Sequence, residues 1–259
     1  MPVRSLTLRS RSALGEPKTE VLDDWDVAKT AVVICDMWDT TQCVSAARRV
    51  DGIARRINDV AAGLRLEGAL IIHAPAGCMD FYAGTIARVR AQQAAPVESP
   101  VPVDWHDWDA MRESPLPASL TDDTPCSCEP GEPCTTGGPP YQWTRQIESI
   151  QVSTADAVTD DGNEVLALLE ERGIERVVVM GVHSNRCVLG RPYGIRQLVY
   201  WGKRPILCRD LTDSYHRDPR GHEWGNEQMA AHIEKNWCPT VTSDQLLVSH
   251  VPASDSWTE

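Results

Sequence analysis

The segment GVHSNRC, Gly181 to Cys187, brings a conformationally free residue, two residues that can cap a helix and a nucleophile close together. Gly181 permits a tight turn, and Ser184 or Asn185 can cap a following helix. Cys187 would then lie in or near the first helical turn, where backbone N–H groups and the helix dipole favour a thiolate. The same N–H groups can bind an oxyanion. The segment therefore indicates nucleophilic chemistry at Cys187.

The second candidate side chain is Asp36, which ends the β-branched run TAVVICD. Such a run predicts a strand that is buried on both faces. Ligands of parallel sheets bind at the carboxyl ends of the strands, so we expect Asp36 and Cys187 to converge on one edge. A buried structural cysteine and a carboxylate satisfied by backbone donors would explain the same two residues, because free cysteine is among the most buried residue types.

The elements that must position these side chains alternate along the chain. Apolar runs predict strands at Thr30–Asp36, Ala69–Ala74, Ile147–Val152, Arg176–Met180 and Pro205–Leu211. Amphipathic spacing predicts helices at Arg48–Gly68, Gly162–Gly173, from about Cys187 to Trp201, and Glu223–Asn236. This alternation predicts right-handed βαβ units and therefore an α/β fold of three α/β/α layers, with a mostly parallel central sheet in a single domain.

The predicted organisation has three parts. Residues 1–29 are expected to form an N-terminal arm, residues 30–250 the domain and residues 251–259 a C-terminal tail. The region from about residue 92 to residue 141 is rich in Pro, Gly, Asp and Trp and has little periodicity. We expect it to be a long irregular insertion that carries a lid or an oligomer contact.

Composition narrows the classes of function. A chain of 259 residues, 42% of them hydrophobic, can bury one large core. Its net charge of −12 would repel nucleic acid and anionic membranes, so the expected partner is a small-molecule substrate. The sequence has no membrane-spanning run and no apolar signal region, which predicts a cytoplasmic protein. The Arg- and Ser-rich start, MPVRSLTLRSRSALG, would also suit a transit peptide.

Nine cysteines without a secretory signal predict reduced thiols rather than a disulfide framework. Three of them, Cys126, Cys128 and Cys134, lie in CSCEPGEPC and could offer soft ligands to zinc. They lack the paired spacing of a structural zinc site, so a loop that contains thiols is the favoured interpretation. We expect no metal and no cofactor.

Three longer segments occur in order between residues 30 and 213: AVVICDMWD, VVVMGVHSNRCVLGRPYGIRQL and GKRPILCRDLTDS. Together they resemble the isochorismatase-like cysteine hydrolase superfamily. That superfamily includes nicotinamidases, carbamoylsarcosine and biuret amidohydrolases, and isochorismatases that lack the cysteine. The resemblance implies the α/β/α fold and a homo-oligomer, either a dimer or a tetramer.

The resemblance also implies roles for single residues. Cys187 is the nucleophile and Asp36 is the general base. A cis peptide bond between Val182 and His183 shapes an oxyanion hole from the backbone N–H groups of His183 and Cys187. The implied reaction is hydrolysis of a small non-peptide C–N bond of amide type through a thioester.

One superfamily element is missing. The superfamily places a lysine between the aspartate and the cysteine, and this chain has none between Asp36 and Cys187. The best-matching position is Arg145 in YQWTRQIESI. A guanidinium there could hold Asp36 but could not shuttle protons. A purely structural ion pair is the alternative role for Arg145.

Nicotinamidases of the superfamily bind a metal through an Asp-x-His pair. Asp104 and His106 repeat that spacing, but they lie too far beyond the second strand to be the same pair.

Aromatic residues near the candidate segments suggest a wall for a flat or apolar acyl group. Trp38, Trp143 and Tyr193 are the candidates, although most such residues serve packing. Arg191 and Arg196 could bind a substrate carboxylate, or they could form ion pairs at a subunit or sheet edge.

Three other functions remain open on the sequence. A vinyl-ether hydrolase of the isochorismatase type would use Asp36 without covalent catalysis. A non-catalytic binding protein could have the same fold, and a thiol-redox protein would use the cysteines of CSCEPGEPC. Retention of activity in Cys187→Ala would favour the first.

Overall fold

The computed structural model describes residues 4–121, 126–133 and 143–247. Within these ranges eight strands form one sheet: β1 (Arg4–Arg11), β2 (Pro17–Trp25), β3 (Thr30–Cys35), β4 (Leu70–Ala74), β5 (Ala157–Val158), β6 (Arg176–Val182), β7 (Arg204–Asp213) and β8 (Thr240–Val241). The strand order is β2-β1-β8-β7-β6-β3-β4-β5. The six strands from β3 to β8 are all parallel to their neighbours in this set, while β1 pairs antiparallel with β2 and with β8.

Helices connect the strands in the same ranges: α1 (Val44–Leu66), α2 (Met79–Tyr82), α3 (Ile86–Gln93), α4 (Ala118–Thr121), α5 (Gly162–Glu171), α6 (Cys187–Gly190), α7 (Ile195–Tyr200), α8 (His222–Asn236) and α9 (Ser243–Leu246). None of these combines the length and the apolarity that crossing a membrane requires.

Two apolar cores cover the two faces of the sheet. Alternate residues of β3 enter different cores: Val33 packs with side chains of α5, α7 and α8, whereas Val32 and Ile34 pack with α1 and the β1–β2 hairpin. A strand with both faces covered must be apolar at every position, which explains the continuous run in β3. The predicted three-layer, mostly parallel α/β fold is confirmed.

Most of the predicted elements are present with small shifts. α1 ends just before Gly68, whose φ of +99° suits the glycine that stops a helix. β6 runs two residues further than predicted, to Val182. Gly181 makes this possible, because a Cβ at that position would lie 2.1 Å from the Cys35 carbonyl oxygen of β3. The glycine therefore lets the two strands meet where the candidate site begins.

Three predictions about the elements are wrong. Residues 4–25 are not an arm but the β1–β2 hairpin at one end of the sheet. The strand expected at Ile147–Val152 is a turn, in which Ile147 donates to the Met37 carbonyl and Ile150 donates to the Ile147 carbonyl. The helix expected up to Trp201 is divided into α6 and α7 by residues 191–194.

The insertion predicted at residues 92–141 is irregular where the structure describes it, with α4 as its one helix in those parts. Its segment from Trp105 to Glu113 is fixed to the domain by a buried ion cluster. Arg196 of α7 donates to both carboxylate oxygens of Glu113, at 2.8 and 2.9 Å, and His232 of α8 lies 2.7 Å from the same carboxylate. The insertion is therefore anchored to two helices. The tail predicted at residues 251–259 lies outside the described residues.

Candidate active site

Cys187 begins α6 directly beyond the end of β6. It is 8% exposed, the largest value among the described cysteines, and it lines a cavity of about 620 Å³. The capping prediction is wrong, because the residue before the helix is Arg186 and no side chain caps it. Asn185 instead donates to the carbonyls of Leu120 and Tyr215, both at 2.9 Å. It thereby ties α4 to the loop after β7.

Asp36 lies directly after β3 and is fully buried. Its φ of +47° is in the left-handed region, which is uncommon for residues other than glycine and most often tolerated by Asp and Asn. Its Oδ1 accepts the backbone N–H of Ala76 at 2.8 Å, and its Oδ2 accepts Nε–H of Arg191 at 2.8 Å. The carboxylate also lies close enough to Cys187 for its charge to raise the pKa of the thiol. The predicted convergence of Asp36 and Cys187 is thus present in the structure.

Arg191 reaches Asp36 because Pro192 follows it. A residue before proline is pushed out of the helical region, and Arg191 has φ −58° and ψ 154°. The helix therefore stops at Gly190, and the Arg191 side chain turns towards the end of β3. The same arginine extends over the Trp105 ring, with its Cζ 5.6 Å from the ring centroid.

Burial dominates the protonation of this pair. Burial raises the pKa of Asp36, although Arg191 and the hydrogen bonds to the carboxylate oppose the shift. Burial and the neighbouring Asp36 carboxylate raise the pKa of Cys187 well above that of an ordinary thiol. The expected preformed thiolate is therefore not favoured. α6 has only four residues, so its dipole does not offset the loss of solvent.

The cis peptide bond expected between Val182 and His183 is present. The backbone amide of His183 lies near the Cys187 thiol and lowers its pKa, against the larger effect of burial. Within the described residues, the N–H of Cys187 has no hydrogen-bond acceptor. An unpaired backbone N–H is the kind of donor that an oxyanion hole uses. The His183 imidazole packs against Tyr215 at 4.9 Å, and burial lowers its pKa to about 4.

Arg145 does not occupy the position predicted for it. Its guanidinium lies 3.5 Å from Glu148 and above the Phe81 ring, on a half-buried surface. Only its backbone reaches the site region, where its carbonyl accepts the N–H of Asp39. The guanidinium that holds Asp36 belongs to Arg191, so the assignment of that role to Arg145 is corrected.

The predicted aromatic contacts are mostly elsewhere. Trp38 and Trp143 stack at 4.2 Å, and both indole N–H groups donate to the Ala76 carbonyl at 3.0 Å. Tyr193 is fully buried, with its hydroxyl 3.4 Å from the Ala74 carbonyl. None of the three is among the residues that line the cavity, whereas Arg191 is.

The aromatic wall comes instead from the insertion. Trp105 and Trp108 line the cavity and are 41% and 48% exposed at its mouth. Trp105 packs on Gly190, where a Cβ would lie 2.9 Å from the indole ring. Gly190, the last residue of α6, is the available sequence signal for this close approach, but nothing in the sequence indicates that Trp105 is its partner.

The described residues that were considered as metal ligands have other neighbours. His106 lies 2.7 Å from Gln197, and Asp104 accepts the N–H of Trp105. Cys128 lies 3.8 Å from Cys43 in a small buried cluster that also contains Cys126. Cys134 falls outside the described residues. Among those described, no three His, Cys, Asp or Glu side chains form a group that could hold a metal ion.

The chain matches no family model and no curated protein, but solved structures resemble it. An isochorismatase from Pseudomonas putida KT2440 is 13% identical, with a TM-score of 0.51 over 86% of this chain and 92% of the other. A cysteine hydrolase from Pseudomonas syringae pv. phaseolicola 1448A is 14% identical, with a TM-score of 0.48 over 86% and 93%. N-carbamoylsarcosine amidase from Thermoplasma acidophilum is 13% identical, with a TM-score of 0.44 over 83% and 96%. The fold is that of isochorismatase-like proteins, as the sequence motifs predict.

Proposed function

We propose that this protein is a hydrolase that cleaves a small non-peptide C–N bond of amide type, with Cys187 as nucleophile and Asp36 as general base. The observation that carries the proposal is the buried pair itself. A thiol at the wall of a cavity lies beside a buried carboxylate that an arginine holds at 2.8 Å. A nucleophile, an adjacent base and a group that orients the base are the parts that acyl transfer needs.

Because the pKa of Cys187 is raised, the thiol keeps its proton until the substrate is attacked. The thiol proton passes to Asp36 as the sulfur attacks the substrate carbonyl carbon. The carbonyl oxygen then becomes an oxyanion, which the backbone N–H groups of His183 and Cys187 stabilise. Arg191 keeps Asp36 in position and ionised before the transfer, in spite of the burial that opposes ionisation.

The second half of the reaction returns the enzyme to its starting state. Asp36 gives its proton to the departing nitrogen, the C–N bond breaks, and ammonia or an amine leaves a thioester on Cys187. Asp36 next takes a proton from water, whose oxygen adds to the thioester carbonyl. The C–S bond then breaks, Asp36 returns the proton taken from water to the departing sulfur, and the carboxylic acid product leaves.

The test is a panel of small amides, ureas and imides, assayed for released ammonia or amine. Cys187→Ala and Cys187→Ser should both lower turnover by about 10³-fold or more, since neither can form the thioester at a useful rate. Cys238→Ala is the matched control, because it removes another buried thiol that lies in the core and does not line the cavity.

Each outcome separates the proposal from its rivals. Full activity in Cys187→Ala would favour noncovalent hydrolysis of the isochorismatase type. No turnover by the wild-type protein on any member of the panel would favour a binding protein. The absence of a cofactor, the homo-oligomer and the cytoplasmic location stay predictions from the sequence.

A further inference from the structure

The cavity beside Cys187 is lined by several arginines. They are Arg186, Arg191 and Arg196, and Asp107 is the one acidic residue in the described lining. Asp36 pairs with Arg191 and Glu113 pairs with Arg196 behind the lining, so the cavity gains no net positive charge from these two arginines. What matters for a ligand is which N–H donors of the arginines have no acceptor within the protein.

The three arginines differ in what their donors already bind. Arg196 donates from Nε and Nη2 to the Glu113 carboxylate and from Nη1 to the His106 carbonyl. These donors fix the insertion that forms one wall of the cavity. Arg186 lies over the Tyr215 ring, with its Cζ 4.7 Å from the centroid. Arg191 binds Asp36 through Nε alone, and neither of its Nη atoms has an acceptor in the described parts of the chain.

Arg191 therefore has two functional edges. The Nε side holds the general base, while the Nη groups remain on a side chain that is 25% exposed and lines the cavity. Two parallel N–H donors of one guanidinium match the two oxygens of a carboxylate. A lysine, the group expected from the superfamily, has a single nitrogen and offers no such second edge.

We infer that the substrate carries a carboxylate, which binds the Nη edge of Arg191, on a planar apolar group that packs against Trp105 and Trp108. The inference rests on the proposed function for the position of the scissile bond, but its binding part does not depend on catalysis. The Trp105 ring lies 5.6 Å from Cζ of Arg191, so a flat group attached to the bound carboxylate has an aromatic surface beside it. Leu116 and Leu189 add apolar surface to the same cavity.

Binding to Cys187→Ala, measured by isothermal titration calorimetry, tests the inference without turnover. The probes are 4-carbamoylbenzoate, its neutral twin terephthalamide, and succinamate, which has the carboxylate but no ring. We expect 4-carbamoylbenzoate to bind at least about tenfold more tightly than terephthalamide, because only its carboxylate can form charge-assisted hydrogen bonds with Arg191. Adding Trp105→Leu should reduce the preference for 4-carbamoylbenzoate over succinamate several-fold.

Variants in the same Cys187→Ala background assign the anion contact. Arg191→Lys keeps a cation for Asp36 but loses the second edge, so the tenfold preference should fall to about twofold. Arg145→Lys, on the surface beside Glu148, is the control and should leave the preference unchanged. A preference that survives Arg191→Lys but disappears in Arg186→Gln would overturn the assignment to Arg191.

The inference and the proposed function can fail separately. Equal affinities for the acid and its neutral twin, or no binding of either, would overturn the inference, even if the wild-type enzyme released ammonia from neutral amides. Preference for the acid that depends on Arg191, with no turnover of any amide, would support the inference and contradict the proposed function.

Discussion

Replacing Arg191 with methionine tests whether this arginine stabilises the buried carboxylate of Asp36. Asp36 is fully buried, and its carboxylate accepts one backbone N–H and one guanidinium N–H from the described residues. Removing one member of a buried ion pair costs about 3–5 kcal/mol. The Arg191 side chain is 25% exposed and Asp36 can take up a proton, so we expect the free energy of unfolding to fall by about 2–3 kcal/mol at pH 8.

The loss should depend on pH with a definite sign. Arg191 lowers the pKa of Asp36 against the effect of burial, so the variant should have a higher Asp36 pKa than the wild type. When folding raises the pKa of a carboxyl group, the protein loses stability as the pH rises through the pKa that the group has in the folded state. Each unit by which the Asp36 pKa is higher in the variant adds about 1.4 kcal/mol to the difference in free energy of unfolding between wild type and variant. This holds once the pH exceeds the folded-state pKa of Asp36 in both proteins. The difference should therefore be smaller at pH 5 than at pH 8.

Urea denaturation at pH 5, 6.5 and 8, followed by circular dichroism, measures this difference directly. Arg145→Met is the matched control, because it removes a guanidinium that is paired at 3.5 Å with the exposed Glu148. Such surface pairs contribute about 0–1 kcal/mol. If Arg191→Met lost the same stability at every pH, or no more than Arg145→Met, Arg191 would not be the group that stabilises the Asp36 carboxylate.

Three further predictions concern the base, the thiol and the anchor of the insertion. Asp36→Asn should lower kcat/KM by about 10²–10⁴ and remove the acid limb of the pH profile, which in the wild type should lie above the ordinary carboxyl pKa of 3.8 because burial raises it. Iodoacetamide should label Cys187 before the other described cysteines, with a rate that rises about tenfold per pH unit from pH 7 to 9; a plateau at pH 7 would reveal a preformed thiolate. Burial opposes ionisation of Glu113, but His232 and Arg196 outweigh it and lower its pKa to about 2. The wild type should therefore lose stability between pH 4.5 and pH 2, and Glu113→Gln, about 3 kcal/mol less stable at pH 7, should lack that slope.

The parts of the fold that could be predicted are those whose burial is repeated along the chain. β3, β4 and β6 are covered on both faces and are apolar throughout, and α1 buries residues at three- and four-residue steps, so their residue types follow a simple pattern. The hairpin at the start was missed because β2 is an exposed edge strand with few buried residues. β2 is positioned along most of its length by pairing with β1, which the composition of the segment does not reveal.

The candidate site was predicted in part for a related reason. The motifs placed Cys187 and Asp36 at strand ends, and topology alone then brings them to one edge of the sheet. The partner of Asp36 was assigned to the wrong arginine, because it lies 155 residues along the chain and depends on how one side chain turns. Pro192 is the local signal that the helix beginning at Cys187 must stop at Gly190. The predicted helix from Cys187 to Trp201 passes through this proline. The aromatic wall could not be predicted, since Trp105 belongs to a segment without periodicity.

An arginine beside Asp36, where the superfamily that the sequence resembles has a lysine, limits how protons can move in the proposed reaction. A lysine beside the base could give up or accept a proton during turnover, whereas a guanidinium stays charged throughout. Asp36 must then carry both the thiol proton to the leaving nitrogen and the water proton of the second step. Burial, which raises the pKa of Asp36, makes it a stronger base than an exposed carboxylate and brings it closer to the acidity of its partners. The positive charge of Arg191 limits that rise in pKa. The limit matters because an Asp36 side chain that was already protonated at neutral pH could not accept the thiol proton. The proposed reaction therefore depends on a balance between burial, which raises the pKa of Asp36, and the charge of Arg191, which lowers it.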